Sequence, residues 1–78
     1  MKGLIEKMVT DLYKAALNVN DYAHKEDINR YHTNYGVAFK CADVLRTLGE
    51  EVDMSCGEDA GYLKIEAVTI NGKRTSFM

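Results

Sequence analysis

The stretch LRTLGEEVDMSC, residues 45–56, decides the fold because its hydrophobic spacing changes there from three or four residues to two. Apolar residues before Gly49 recur at helical spacing, and those after it alternate with polar neighbours as in a half-buried strand. A glycine at such a boundary is typical of the position just beyond a helix C-terminus. The stretch therefore predicts a helix that ends near residue 48 and a strand that begins near residue 51.

Two amphipathic helices are predicted upstream of this stretch. The first runs from about Gly3 to Asn18 or a few residues beyond, and the second covers about residues 28–48. Their apolar positions are Ile5, Met8, Val9, Leu12, Ala16 and Val19 in the first helix and Tyr31, Tyr35, Ala38, Ala42 and Leu45 in the second. Asp21 and Asp27, in the polar run between the helices, can each cap the second helix by accepting backbone N–H bonds.

A three-stranded antiparallel meander is predicted downstream, with strands at about Glu51–Cys56, Tyr62–Ile70 and Lys73–Phe77. Asn71-Gly72 is a residue pair typical of a two-residue type I′ turn. The apolar residues of the second strand change parity near Ala67. Either a β-bulge lies there or both faces of the sheet are partly covered.

The predicted fold is therefore a single α+β domain over residues 1–78, a two-helix hairpin followed by the meander packed on the second helix (ααβββ). A chain of 78 residues has a small core, which rarely supplies more than about 3–5 kcal/mol of net stability. Assembly with a partner or with a second copy is consistent with that limit. The short third strand offers a sheet edge through which a homodimer can form.

Composition and charge argue against several classes of protein. No stretch is as long and apolar as a membrane-spanning helix, and the charges of Lys2 and Glu6 interrupt any signal-peptide core. We expect a cytoplasmic protein that does not contact membranes. The net charge of −2 and the lack of a basic stripe beyond Lys73-Arg74 argue against nucleic-acid binding.

The two cysteines, Cys41 and Cys56, fall on different predicted elements and form no C-x-x-C pair. A chain without an export signal usually keeps its thiols reduced. Cys41 lies beside the apolar arc of the second helix, and Cys56 continues the inward positions of the first strand. We therefore predict two free, buried thiols.

The sequence contains no recognisable catalytic, cofactor-binding or metal-binding pattern. His24 and His32 are eight residues apart, which is too far for ligands on adjacent helical turns. The glycines lack phosphate-binding spacing, and no G-x-S-x-G motif is present. We expect no enzymatic activity, no cofactor and no metal ion.

Tyrosine is the residue type that most suggests binding, because it is enriched in protein interfaces. Tyr31 and Tyr35 lie on the apolar arc of the second helix, and we interpret them as core residues. Tyr22, in the polar run, is as compatible with partner binding as with packing. Asn34 also falls on the apolar arc and needs a hydrogen-bond partner, since an unpaired buried amide costs about 1–3 kcal/mol.

Acidic residues dominate the chain from residue 43 to residue 70. Seven acids (Asp43, Glu50, Glu51, Asp53, Glu58, Asp59 and Glu66) stand there against two bases (Arg46 and Lys64). Such a surface can steer association with a basic protein, or simply keep the sheet face solvated. The predicted partner-binding residues are Tyr22, Glu51, Asp53, Glu58 and Asp59.

These observations favour a non-catalytic module that binds another protein with a basic surface in fixed stoichiometry. Bacterial and phage accessory proteins of this size, including inhibitors that present acids to the basic grooves of nucleic-acid-handling enzymes, are an analogy at the level of class. The alternative is a small regulatory nucleic-acid-binding protein that uses Lys73, Arg74 and the helix lysines. A small enzyme would need His24 or His32 to meet a carboxylate or a thiol in a pocket.

Overall fold

The computed structural model describes residues 2–59 and 61–77, without the side chains of Lys2 and Asp59. Its elements are helices α1 (Lys2–His24) and α2 (Ile28–Thr47) and strands β1 (Val52–Asp59), β2 (Tyr62–Ile70) and β3 (Lys73–Ser76). The strands form one antiparallel sheet in the order β1-β2-β3, which packs on α2. The predicted ααβββ fold is confirmed. In the described part of the chain, neither helix combines the length and apolarity needed to cross a membrane.

The ends of α2 follow the capping predictions. The Asp27 side chain accepts a hydrogen bond from the Arg30 backbone N–H at 3.3 Å and caps the helix N-terminus. At the other end Gly49 has φ of +94°, and the Glu50 N–H donates to the Leu45 carbonyl at 3.0 Å. This left-handed glycine ends α2 as expected.

Helix α1 is longer than predicted, because it continues through the polar run to His24. The predicted end near Asn18 assumed that the polar residues break the helix. Instead Asp21 pairs with Lys25 one turn later, at 2.9 Å, so Asp21 does not cap α2. Asn34 has the partners that its position requires, since its amide donates to the Arg30 carbonyl at 2.8 Å and accepts from Asn18 at 3.3 Å.

The hydrophobic core lies between the two helices and one face of the sheet. Its fully buried side chains are Leu12, Ala16 and Val19 from α1, Ala38, Ala42 and Leu45 from α2, and Ile65 and Val68 from β2. The alanines keep the helices close, since they add little volume at the contact.

The side chain of Asn20 joins α1 to the sheet in a way that the sequence did not indicate. Its amide Nδ2 donates to the Ile65 carbonyl at 2.8 Å, and its Oδ1 accepts from the Ile65 N–H at 2.9 Å. Asn20 therefore occupies both backbone groups of Ile65, as a neighbouring strand would.

A bulge in β2 confirms the predicted irregularity near Ala67. Ser55 pairs with Ala67 and the next residue, Cys56, pairs with Ile65, so Glu66 is the extra residue. Ala67 is fully buried yet lies outside the core cluster. Of the two possibilities left open by the sequence, the structure shows the bulge.

The second hairpin forms as predicted. Asn71 and Gly72 have φ of +51° and +85°, as a type I′ turn requires, and Ile70 pairs with Lys73. β3 ends at Ser76, and the Phe77 N–H continues the pairing to the Glu66 carbonyl at 2.8 Å.

Two predictions about the first hairpin were wrong. β1 continues to Asp59 and β2 begins at Tyr62, so residues 57–59 are strand residues and not part of the predicted turn over residues 57–61. Both thiols are free, but only Cys41 is buried, and Cys56 is exposed. The reason is its position on an outer strand of the sheet beyond the bulge.

Candidate functional site

One flank of α2 presents apolar and aromatic side chains to solvent. Ile28, His32, Tyr35 and Phe39 follow one another at intervals of four, three and four residues, which places them on one side of a helix. We call these four residues the α2 strip. The Tyr35 and Phe39 rings stack with centroids 4.9 Å apart. The opposite flank of α2 faces α1, as the contact between Asn34 and Asn18 shows. The α2 strip therefore does not lie in the contact between the two helices.

An open cleft lies between the α2 strip and the tip of the first hairpin. It has a volume of about 330 Å³, and its lining includes Tyr31, His32, Glu58, Tyr62 and Leu63. A second hollow of about 310 Å³ continues along the helix. We call this space the aromatic cleft. Its walls are mostly apolar with a few polar groups, which is the usual character of a binding groove.

Tyr31 forms the floor of the aromatic cleft and is held in place from several sides. Its hydroxyl donates to the Leu63 carbonyl at 2.7 Å, and its ring meets those of Tyr35 and Tyr62 edge-on at 5.7 and 5.3 Å. Burial raises the pKa of Tyr31, although the Leu63 hydrogen bond opposes that shift. The prediction that Tyr31 is a core residue is therefore confirmed, and its hydroxyl is hydrogen-bonded to β2.

Two residues of α2, Tyr35 and Cys41, have pKa values shifted away from the reactive, deprotonated form. Burial, together with the neighbouring Cys56 thiol at 3.5 Å, raises the pKa of Tyr35, so its hydroxyl stays neutral at physiological pH. Burial also raises the pKa of Cys41, which makes that thiol a poor nucleophile. Across residues 2–59 and 61–77, no three His, Cys, Asp or Glu side chains come together as metal ligands.

The predicted acids do not form one cluster. The Glu51 carbonyl accepts from the Asn71 N–H at 2.8 Å, and Asp53 pairs in register with Thr69, so both acids lie at the start of the first hairpin's pairing. Glu58 lies at the other end of β1 and lines the aromatic cleft. Asp59 ends β1, and its side chain lies outside the described part of the structure.

Tyr22 lies in the last turns of α1, half-buried against the core. The Lys25 ammonium and the Arg30 guanidinium stand 5.9 and 5.8 Å from the centroid of its ring, as in cation–π contacts. The predicted binding residues thus occupy three places: the helix hinge, the start of β1 and the aromatic cleft.

The residues that sequence reasoning missed are Ile28, Phe39 and Leu63, which are 52%, 43% and 49% exposed. The spacing of Ile28, Tyr35 and Phe39 on α2 was a signal for this surface, because it extends the apolar arc beyond the width that α1 and the sheet can cover. Leu63 gave no such signal, since it alternates in β2 like a core residue.

Comparison of the chain with known protein families, curated proteins and solved structures found no match. No catalytic or binding residue is therefore carried over from another protein. The function is inferred from the geometry and charge of this surface.

Proposed function

We propose that this protein is a non-catalytic module that binds another protein in fixed stoichiometry through the α2 strip and the aromatic cleft. The observation that carries the proposal is the exposure of Ile28, Phe39 and Leu63 beside a groove floored by tyrosines. Exposed apolar side chains that adjoin one another usually mark an interaction surface, whereas single ones need no explanation.

The tyrosines of the cleft are suited to binding because they are already ordered. Tyr31 is held by a hydrogen bond and by two edge-on ring contacts, and Tyr35 stacks on Phe39. A partner that packs on such rings does not bear the usual cost of about 0.5–1.5 kcal/mol for each side chain that must be immobilised. Rigid aromatic anchors of this kind often dominate the affinity of an interface.

The charge around the cleft favours a partner with a basic surface. Glu58 lies in the cleft itself, Asp53 is exposed on the same strand, and Glu51 is exposed just before that strand begins. Complementary charge mainly raises association rates and disfavours acidic competitors. Proteins that bind nucleic acid present such basic surfaces, so an accessory protein that inhibits one of them is a form of this proposal.

The nucleic-acid-binding alternative has less support. Lys73 and Arg74 are exposed on β3, but Arg74 pairs with Thr69, which pairs in turn with Asp53. Asp53 is therefore only two strand spacings, about 10 Å, from Arg74 and offsets part of its charge. An enzyme has one feature in its favour, since His32 and Glu58 both line the cleft. However, no hydrogen bond joins their side chains within the described chain.

The proposal is tested by affinity capture with matched variants of the tagged full chain. The variant Ile28→Ser/Phe39→Ser removes two exposed apolar side chains from the α2 strip. Its control, Leu4→Ser/Leu17→Ser, removes two others of similar exposure, 42% and 54%, from α1. We expect lysate from the source of the protein to yield one stoichiometric protein, at least tenfold depleted for the strip variant and retained for the control.

Two results would contradict the proposal. Equal recovery with both variants would mean that the strip is not the binding surface. Recovery of nuclease-sensitive nucleic acid without a protein would favour the alternative function. The amount of nucleic acid recovered should then depend on Lys73 and Arg74.

A further inference from the structure

We propose that β1 binds its partner by strand addition, with an extended basic segment of the partner pairing along the edge of β1 from Met54 to Glu58. This inference rests on the proposed function and adds to it the mode of binding and the chemistry of the bound segment. Strand addition to a sheet edge is a common way of binding peptides, because the main chain gives affinity and alternate side chains give specificity.

Every second residue of β1 points its backbone N–H and C=O groups away from β2. β1 is the outer strand in the order β1-β2-β3. The Glu51 carbonyl accepts from Asn71, at the end of β2, so it points toward that strand. The Val52 carbonyl instead accepts from Arg46 Nε at 3.0 Å and Nη2 at 2.8 Å, so it points away. Because the direction alternates along a strand, the N–H and C=O of Met54 also point away from β2.

The same direction holds beyond the bulge. Cys56 pairs in register with Ile65, but the N–H and C=O of Ile65 are both bonded to the Asn20 side chain. The backbone groups of Cys56 therefore point outward, and so do those of Glu58 two residues later. Three N–H and three C=O groups thus face outward over about 14 Å of strand.

The outward groups are accessible. Arg46 covers the start of the edge at Val52, and no hydrogen bond from another segment of the described chain reaches the backbone of Met54, Cys56 or Glu58. Cys56 and Glu58 are both exposed. The free edge is therefore long enough for a segment of about five residues.

The α2 strip runs beside this edge. Tyr35 contacts Cys56, and Arg46, on the same flank of α2, contacts Val52. Phe39 lies between Tyr35 and Arg46 on that flank, one turn from Tyr35. One set of alternate side chains of an added strand would therefore pack against Tyr35 and Phe39, while the other set would lie on the outer sheet face.

The acids along β1 favour a basic segment, with Asp53 on the outer sheet face and Glu58 on the side of the cleft. Residues 50–59 contain five acids (Glu50, Glu51, Asp53, Glu58 and Asp59) and no lysine or arginine. A strand that alternates apolar residues with Lys or Arg would place its bases beside Asp53 and its apolar residues beneath the strip. Opposite charges that face each other on neighbouring strands stabilise their pairing.

The same charges argue against a second copy of this chain as the occupant. Two β1 edges paired about a two-fold axis would place acids against acids, which is destabilising. The edge of β3 carries Lys73 and Arg74, but it has only four residues, and its pairing with β1 would be head-to-tail and not the two-fold contact of a dimer.

The test uses a capped nine-residue peptide of alternating Lys and Val, added to the isotope-labelled full chain and followed by NMR. We expect hydrogen exchange at the amides of Met54, Cys56 and Glu58 to slow at least tenfold, and the same peptide with Glu in place of Lys to have no effect. Chemical-shift changes without slower exchange would mean that the peptide binds only through charge, and would overturn strand addition.

Two matched pairs sharpen the test. Methylation of the peptide backbone nitrogens at either the Lys or the Val positions should abolish binding in only one case, because only one set of amides faces β1. Cys56→Pro removes one outward N–H without breaking pairing to β2 and should weaken peptide binding at least fivefold, whereas Cys56→Ala should not. If both methylated peptides bind like the unmodified one, strand addition is wrong.

The outcomes separate this inference from the proposed function. Loss of the captured partner in the α2 strip variant, together with normal binding of both methylated peptides, would leave the protein-binding function standing without strand addition. If protection of the β1 amides from exchange increases with protein concentration in the absence of peptide, a second copy of the chain occupies the edge. That result would overturn the proposal that a basic segment binds there.

Discussion

Two stretches of the sheet that lack a neighbouring strand differ in what their backbone groups bond: β2 beyond the end of β3, and β1 from Met54 to Glu58. Where β3 ends, the Asn20 amide bonds both backbone groups of Ile65, and the Tyr31 hydroxyl bonds the Leu63 carbonyl. Along β1 from Met54 to Glu58, no side chain of the described residues does the same. The first stretch, the closed edge, holds both helices to the sheet, whereas the second, the open edge beside the α2 strip, has outward backbone groups that no other described segment bonds.

The largest effect is expected at the closed edge, from Asn20→Ala. The substitution should lower the free energy of unfolding by about 2–3 kcal/mol, because both backbone groups of Ile65 lose their partner in a partly buried place. The measurement is urea unfolding. Asn18→Ala is the control and should cost only about 0.5 kcal/mol, since Asn18 makes one exposed 3.3 Å hydrogen bond. Equal losses would mean that Asn20 does not close this edge.

The fold was largely predictable because its signals are local. The change of hydrophobic period at Gly49, the Asp27 cap and the Asn71-Gly72 turn each depend on neighbouring residues, and all three were confirmed. The end of α1 was not predictable in this way. Asn20 looked like a helix breaker, and only the Ile65 backbone, far along the chain, gives its amide a partner.

Charge at the open edge is the next test. Glu51→Lys/Asp53→Lys should leave folding intact and slow association with the captured partner about tenfold at low salt, because complementary charge steers encounter. Stopped-flow association across a salt series measures the effect, which should shrink as salt rises. The control, Glu6→Lys/Glu26→Lys, makes the same change in net charge in α1 and the helix hinge. Rates that are unchanged at low salt would contradict a basic partner.

Removing one tyrosine hydroxyl at each edge compares how much the two edges contribute to stability. Tyr31→Phe should cost about 1 kcal/mol of stability, because the Leu63 carbonyl loses its 2.7 Å hydrogen bond. Tyr35→Phe should cost less, because its hydroxyl makes only a 3.5 Å contact with the Cys56 sulfur. Thermal unfolding of both variants gives the difference. A larger loss for Tyr35→Phe would mean that the open edge is as tightly held as the closed one.

The smallest effect is the dependence of stability on alkaline pH. Burial raises the pKa values of Tyr31 and Tyr35 above the ordinary 10.0, so the folded state retains protons that the unfolded state releases. Stability should therefore be complete below pH 10 and fall as the pH rises toward the folded-state pKa values. Urea unfolding between pH 8 and pH 11 measures this slope, which Tyr35→Phe should reduce. A slope unchanged in that variant would contradict the burial of the hydroxyl.

The candidate site was less predictable than the fold. The sequence pointed to the tyrosines and the acids of β1, but it separated Glu58 from Tyr31, which the structure brings to one cleft. It also took Cys56 for a core residue, since period-two spacing does not reveal which strand lies at the edge. Sheet order and the bulge, both tertiary features, decide what β1 exposes.

Hydrogen exchange along β1 in the free protein shows whether its outward N–H groups are open to solvent. By NMR at single-amide resolution, the amides of Met54, Cys56 and Glu58 should exchange at least tenfold faster than those of Asp53 and Ser55, because only the N–H groups of the latter two point toward β2. The Ile65 amide, bonded to Asn20, should be slow and should become fast in Asn20→Ala. Uniformly slow exchange along β1 in the monomeric protein would contradict an open edge and the binding mode based on it.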